Sequence, residues 1–151
     1  FEALEVGKEK GRSDAELDII KRNADNAVTV LQTARSLGVQ VMSGTDTGNS
    51  PVMPYGVLHA HEAEVMVKFG GYTPLEAITA STKDNAYSVG MEGELGVIEA
   101  GKLADLLILD ADPLDDIRVL QGGKHLNSVI KDGRRVDLSA QPEDEIVLAL
   151  P

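Results

Sequence analysis

The chain has 151 residues, of which 42% are hydrophobic, with 14 Lys plus Arg against 25 Asp plus Glu and a formal net charge of −11. That size and apolar content allow a sizeable core, while the acidity opposes the counterion release that drives proteins onto polyanions, so no nucleic-acid partner is expected. The absence of cysteine excludes disulfides, thiolate metal sites and cysteine nucleophiles.

No signal segment or long apolar span is visible, so no membrane role is expected and the cytoplasm is the default compartment. The start at Phe1 reads as that of a piece excised from a longer soluble protein. Ser13-Asp14-Ala15-Glu16 has the form of a capping box and predicts a helix start. Leu17, Ile20, Ala24, Ala27, Val28, Leu31, Ala34 and Leu37 then recur at helical spacing up to Gly38, a C-terminal stop.

Val39-Gln40-Val41-Met42-Ser43 follows as a short β-rich run bounded by glycines and reads as a buried strand. It delivers Asp46, within Gly44-Thr45-Asp46-Thr47-Gly48, to a glycine-flanked loop. In β/α proteins the C-terminal ends of parallel strands form the floor of the active site, which makes Asp46 the first catalytic candidate. Capping of the following helix is the ordinary structural role for such a carboxylate.

After the breakers Pro51 and Pro54, Leu58, Val65, Met66 and Phe69 mark a second amphipathic helix ending at Gly70-Gly71. Thr73-Pro74-Leu75-Glu76 supplies another capping box with Pro at the first helical position, and a third helix runs through Ile78 and Thr79. A fourth short helix is expected from Ala80 to Ala86, closing at Gly90. Beyond it the pattern becomes strand-like and glycine-rich, so a boundary is placed near residue 91, dividing the chain into 1–90 and 91–151. Leu103 to Leu109 reads as a strand, and Asp132-Gly133 as the tight turn of a hairpin joining Ser128–Lys131 to Arg134–Val136. Ile146-Val147-Leu148 in the tail is a further strand candidate with no function assigned.

Gly44-Thr45-Asp46, the helical His61-Glu62-Ala63-Glu64, Thr73-Pro74-Leu75-Glu76-Ala77 with Ala80 to Ala86, and Gly96-Val97-Ile98-Glu99-Ala100-Gly101-Lys102-Leu103-Ala104-Asp105-Leu106 stand in that order. Together they resemble the C-terminal part of the metal-dependent amidohydrolase superfamily, nearest to imidazolonepropionase-like and prolidase-like members. The resemblance covers roughly residues 38 to 136. It implies the last part of a (β/α)8 TIM-type barrel over 1–90, followed over 91–151 by part of a small composite β-sandwich. It also implies one or two divalent metals, usually zinc, and hydrolysis of C–N bonds by metal-activated water. In that pattern Asp46 closes the last barrel strand, contacts the metal and shuttles a proton from the attacking water to the leaving nitrogen.

The superfamily's early His-x-His pair, its bridging residue and two later histidines have no counterpart among the 45 residues before Asp46, so tight metal binding by this chain alone is not expected. His59-Ala60-His61 does not replace that pair: on a helix, i and i+2 point about 200° apart. His59 and His61 are instead candidate substrate contacts at a loop-to-helix entry. Glu62 and Glu64 suit the first turn electrostatically, and Thr45 and Thr47 would satisfy backbone groups or orient Asp46. Lys102 and Asp105 are assigned to hairpin geometry, and His125 to a loop.

The expected substrate is a small-molecule amide, such as a dipeptide or an N-acylated amino acid. A cyclic-amide hydrolase or a deaminase is the rival within the superfamily. In isolation the chain is expected to be inactive, a structural module that associates with a second copy or with the missing N-terminal part.

Overall fold

Ser13 opens a long helix, α1 (Asp14–Ser36), by the reciprocal bonds its sequence predicts. Its hydroxyl accepts the Glu16 N–H at 3.4 Å, and the Glu16 carboxylate accepts the Ser13 N–H at 2.9 Å, satisfying two orphan donors together. At the far end Gly38 takes φ 70°, the Val39 N–H reaches the Ala34 carbonyl at 2.9 Å and the Gly38 N–H reaches that of Arg35 at 3.0 Å. This left-handed cap closes the carbonyls left over by the last turn. Leu17, Ile20, Ala24, Val28, Leu31 and Ala34 are half-buried on one stripe, whereas Ala27 and Leu37 are exposed.

The protein, a computed structural model, is described over residues 7–8, 10–47 and 58–138. Its packing forms two units, Phe1–Val41 and Met42–Pro151, so the compositional change near residue 91 falls inside the second. The Pro51 and Pro54 breakers and the Ile146-Val147-Leu148 strand candidate lie outside the described residues.

The strand expected over Val39–Ser43 is not formed: residues 39–46 are irregular, and none belongs to the sheet. Val39 and Val41 have the right side chains, but a strand also needs neighbours that satisfy its N–H and C=O groups. Among the described residues no strand supplies them.

In the second unit α2 (His59–Gly70) buries Ala63, Met66 and Gly70 and stops at Gly71 with φ 73°. Val65, expected on the apolar face, is 40% exposed. Thr73 and Glu76 form the second reciprocal box, with the Thr73 N–H 2.7 Å from the Glu76 carboxylate, at the start of α3 (Pro74–Thr79). The third and fourth helices expected from the sequence are not separate elements. A wide π-helical turn, Ala80–Asp84, instead leads directly into α4 (Asn85–Ser88). Within this run the Ser81 and Thr82 hydroxyls donate back to the Ala77 and Ile78 carbonyls at 2.9 and 2.7 Å, giving carbonyls next to the wide turn additional partners.

The loop after this helix lies tightly against it because Gly96 has no side chain. A Cβ there would stand 2.8 Å from Ala86 Cβ, 2.9 Å from Lys83 Cα and 3.0 Å from the Thr82 carbonyl oxygen, and φ is +90°. This contact ties the glycine-rich segment to the helices.

A three-stranded antiparallel sheet completes the unit, in the order β1 (Leu106–Leu109), β2 (Leu126–Lys131), β3 (Arg134–Arg135). Leu107 faces Val129 and Leu106 faces Ile130, with an irregularity between Ile108 and Leu109. Asp132 and Gly133 turn the hairpin with φ 50° and 72°, the paired positive angles of the tight turn that Asp-Gly favours. Asp105 holds this turn from the side: it pairs with Lys131 and accepts the Asp132 N–H at 2.7 Å. The Lys131 hydrogen bond, followed by that from Asp132, holds the Asp105 carboxyl below its ordinary value. Lys102 is likewise structural, its ammonium 2.5 Å from the Glu92 carbonyl.

Candidate functional site

Asp46 is an exposed residue at the tip of the segment that opens the second unit. Its φ of 47° is left-handed, a conformation that short polar residues accept more readily than other side chains. On either side the Thr45 and Thr47 hydroxyls bond each other at 3.0 Å, bracketing the turn. Three residues earlier, Ser43 is gripped from the helical run. The Asn85 amide Nδ2 lies 3.1 Å from the Ser43 carbonyl and 3.1 Å from its Oγ.

Asn85 was not singled out by the sequence pattern. The signal for it is weak: a residue that disfavours helix interiors sits in Thr82-Lys83-Asp84-Asn85, inside a helical stretch. Its partner is 42 positions away, a relation that local periodicity does not contain.

The two histidines separate as a helical spacing requires. His59 is exposed at the start of α2, whereas His61 is half-buried with Nδ1 3.7 Å from a Glu64 carboxylate oxygen. That Glu64 oxygen also accepts from the Gln121 amide at 2.7 Å. Glu62 is half-buried. Burial pushes its carboxyl above the ordinary value, against the pull of His59 and His61.

A cleft of about 930 Å³ opens between the helical run and the β-rich segment. His59, Ser81, Thr82, Asn85 and Asp105 supply its polar edge, and aliphatic side chains such as Ile78, Leu95, Leu106 and Leu107 supply most of the rest. His59 lines this space; neither Asp46 nor His61 does. Asn85 both lines the cleft and bonds Ser43 at the base of the Asp46 turn. His125 is a loop residue as expected, with Nδ1 2.8 Å from an Asp110 carboxylate oxygen.

Among the described residues no group of three or more His, Cys, Asp or Glu is arranged to hold a metal ion. A catalytic zinc takes three protein ligands, and Asp46 supplies a single carboxylate. The described residues thus do not fit the divalent metal on their own.

Residues 14–136 match the profile described as Amidohydrolase family. Ochratoxinase from Aspergillus niger is 38% identical over 112 residues, which are 74% of this chain and 22% of that protein. Imidazolonepropionase from Rubrobacter xylanophilus is 46% identical over 63 residues, 42% of this chain and 15% of that protein. Among solved structures, a Xaa-Pro dipeptidase with methionine bound in its active site superposes with a TM-score of 0.64 at 34% identity, covering 73% of this chain and 25% of that one. The chain thus spans about a fifth of the length of the curated relatives it matches.

Proposed function

This chain belongs to the amidohydrolase family, and from that premise we propose that the protein carrying it hydrolyses C–N bonds in dipeptides or N-acylated amino acids, with Asp46 as proton carrier. The observation that supports this most is the placing of Asp46. An exposed carboxylate stands in a left-handed turn, bracketed by two threonines, inside the segment that matches the family.

Amide hydrolysis needs two proton movements that one carboxylate can serve in turn. As water attacks the carbonyl carbon, Asp46 takes the proton released when the new C–O bond forms. As the C–N bond breaks, it gives that proton to nitrogen, which leaves as a neutral amine instead of a strongly basic anion. His59, exposed at the entrance of α2, is assigned to substrate contact, and His61 to the same role only through its contact with Glu64. The divalent metal, zinc in this reading, belongs to the whole protein.

The finer architecture forms part of the same proposal. Val39–Ser43 becomes the last strand of the barrel, with Asp46 at its end, once neighbouring strands provide a ladder, and the three-stranded sheet is part of a composite β-sandwich. Ile98 and Leu107, 86% and 59% exposed, support association with the rest of the protein or with a second copy.

A test is the replacement of Asp46 by Asn in the full-length protein, assayed against Xaa-Pro dipeptides and N-acyl amino acids. Turnover should fall about 10²–10⁴-fold with unchanged circular dichroism. Near-normal turnover would contradict the assignment. Cyclic amides belong in the same panel because the match to imidazolonepropionase, at 46% identity, favours them as the second reading.

A further inference from the structure

We infer that Asn85 is a positioning residue for the Asp46 carboxylate, acting through Ser43; this rests on the assignment of Asp46 as the proton carrier. Asn85 makes the hydrogen bonds that hold the base of the Asp46 turn from a distant part of the chain. Its single amide nitrogen reaches both the carbonyl and the hydroxyl of Ser43 at 3.1 Å, and lies 3.5 Å from the Ser81 carbonyl. The amide has two N–H groups, so one can serve the Ser43 carbonyl while the other turns toward the hydroxyl or toward Ser81.

The helix is shaped to present this amide. Each residue advances an α-helix by about 100°, so the extra residue of a wide turn rotates every later side chain by that angle relative to an unbroken helix. The wide turn ends at Asp84, and Asn85 is the first residue beyond it. Gly96 then packs against Lys83 and Ala86, on both sides of Asn85 in sequence, which restricts movement of this turn. A half-buried amide on a packed helix thus fixes a point three residues before Asp46.

Only Gly44 and Thr45 separate Ser43 from Asp46. Asp46 is in the left-handed region, and the Thr45 and Thr47 hydroxyls on either side of it in sequence bond each other at 3.0 Å. Displacing Ser43 therefore displaces the carboxylate. Proton transfer requires hydrogen-bond reach, so a shift of about 1 Å can cost as much as 10²-fold in rate.

The experiment compares Asn85→Ala, Asn85→Asp and Ser43→Ala in the full-length protein, each alone and with Asp46→Asn. Asn85→Asp preserves side-chain size but has no N–H to donate when ionised. Asn85→Ala and Asn85→Asp should each lower kcat about tenfold or more, with KM changed less than about threefold. Ser43→Ala, which keeps the carbonyl acceptor, should lower kcat by a smaller factor and serves if the Asn85 variants do not fold. In the Asp46→Asn background the Asn85 loss should disappear, because no proton carrier remains to be positioned.

Equal loss from Asn85→Ala in both backgrounds would overturn the positioning role while leaving Asp46 as proton carrier. Unchanged kcat in Asn85→Asp would overturn it too. Near-normal turnover of Asp46→Asn would instead sink the reading of Asp46, and the positioning role with it.

Discussion

Replacing Gly96 by Ala tests the contact that binds the glycine-rich loop to the helical run. At φ +90° the new side chain meets the backbone penalty of a left-handed conformation, about 1–2 kcal/mol. Its methyl would also stand 2.8 Å from Ala86 Cβ and 2.9 Å from Lys83 Cα, neither of which can swing aside without moving the helix. Overpacking of that kind costs about 1–3 kcal/mol, so the total destabilisation is about 2–5 kcal/mol. Gly101 provides the internal control: it shares φ +90° but has nothing within 4 Å of the added Cβ. Gly101→Ala should therefore lose only the backbone part, about 1–2 kcal/mol. Urea unfolding of the full-length protein, read by a probe in this unit, measures both. Equal losses at the two positions would refute the close packing of Gly96 on the helix.

Two carboxyl groups make opposite pH predictions. Burial raises the Glu62 pKa above its ordinary 4.5, so the folded state is penalised once that group ionises, and stability falls as pH rises through the interval between the two values. Glu62→Gln should accordingly raise the urea midpoint at pH 7 relative to wild type, with the gain shrinking below pH 4.5; a lower midpoint at pH 7 would contradict this. Asp116 behaves in the reverse sense, because the Arg118 side chain, helped by the Arg118 N–H, pulls its pKa from 3.8 to about 2. Its contribution is complete above pH 3.8 and is lost as pH falls toward 2, so Asp116→Asn should be less stable than wild type at pH 7 and equal to it below pH 2. A deficit that persists below pH 2 would assign the effect to packing instead of charge.

Local chemistry made much of this fold legible in the sequence. The boxes at Ser13 and Thr73, the glycine stops at Gly38 and Gly71, and the Asp132-Gly133 hairpin each depend on residues within a few positions of one another. What could not be read depends on partners remote in sequence. Val39–Ser43 has strand composition without a described ladder, and the wide turn at Ala80–Asp84 arises in a stretch whose apolar spacing reads as two separate helices. The same limit applies to the site. Asp46 stood out as the carboxylate of a glycine-flanked loop after a strand-like run, whereas Asn85 acquires its place only by reaching Ser43 across the fold. His59 and His61 lie two positions apart on one helix, which sends the two rings to different surroundings.

Asp46 as carrier of a proton to the leaving group is tested most directly by the ratio of wild-type to Asp46→Asn turnover on two substrates with one acyl group. One should be an amide and the other an aryl ester, whose leaving oxygen needs no proton. The account predicts that the loss on the amide exceeds the loss on the ester by about tenfold or more. Equal losses on both, or no loss on the amide, would contradict it.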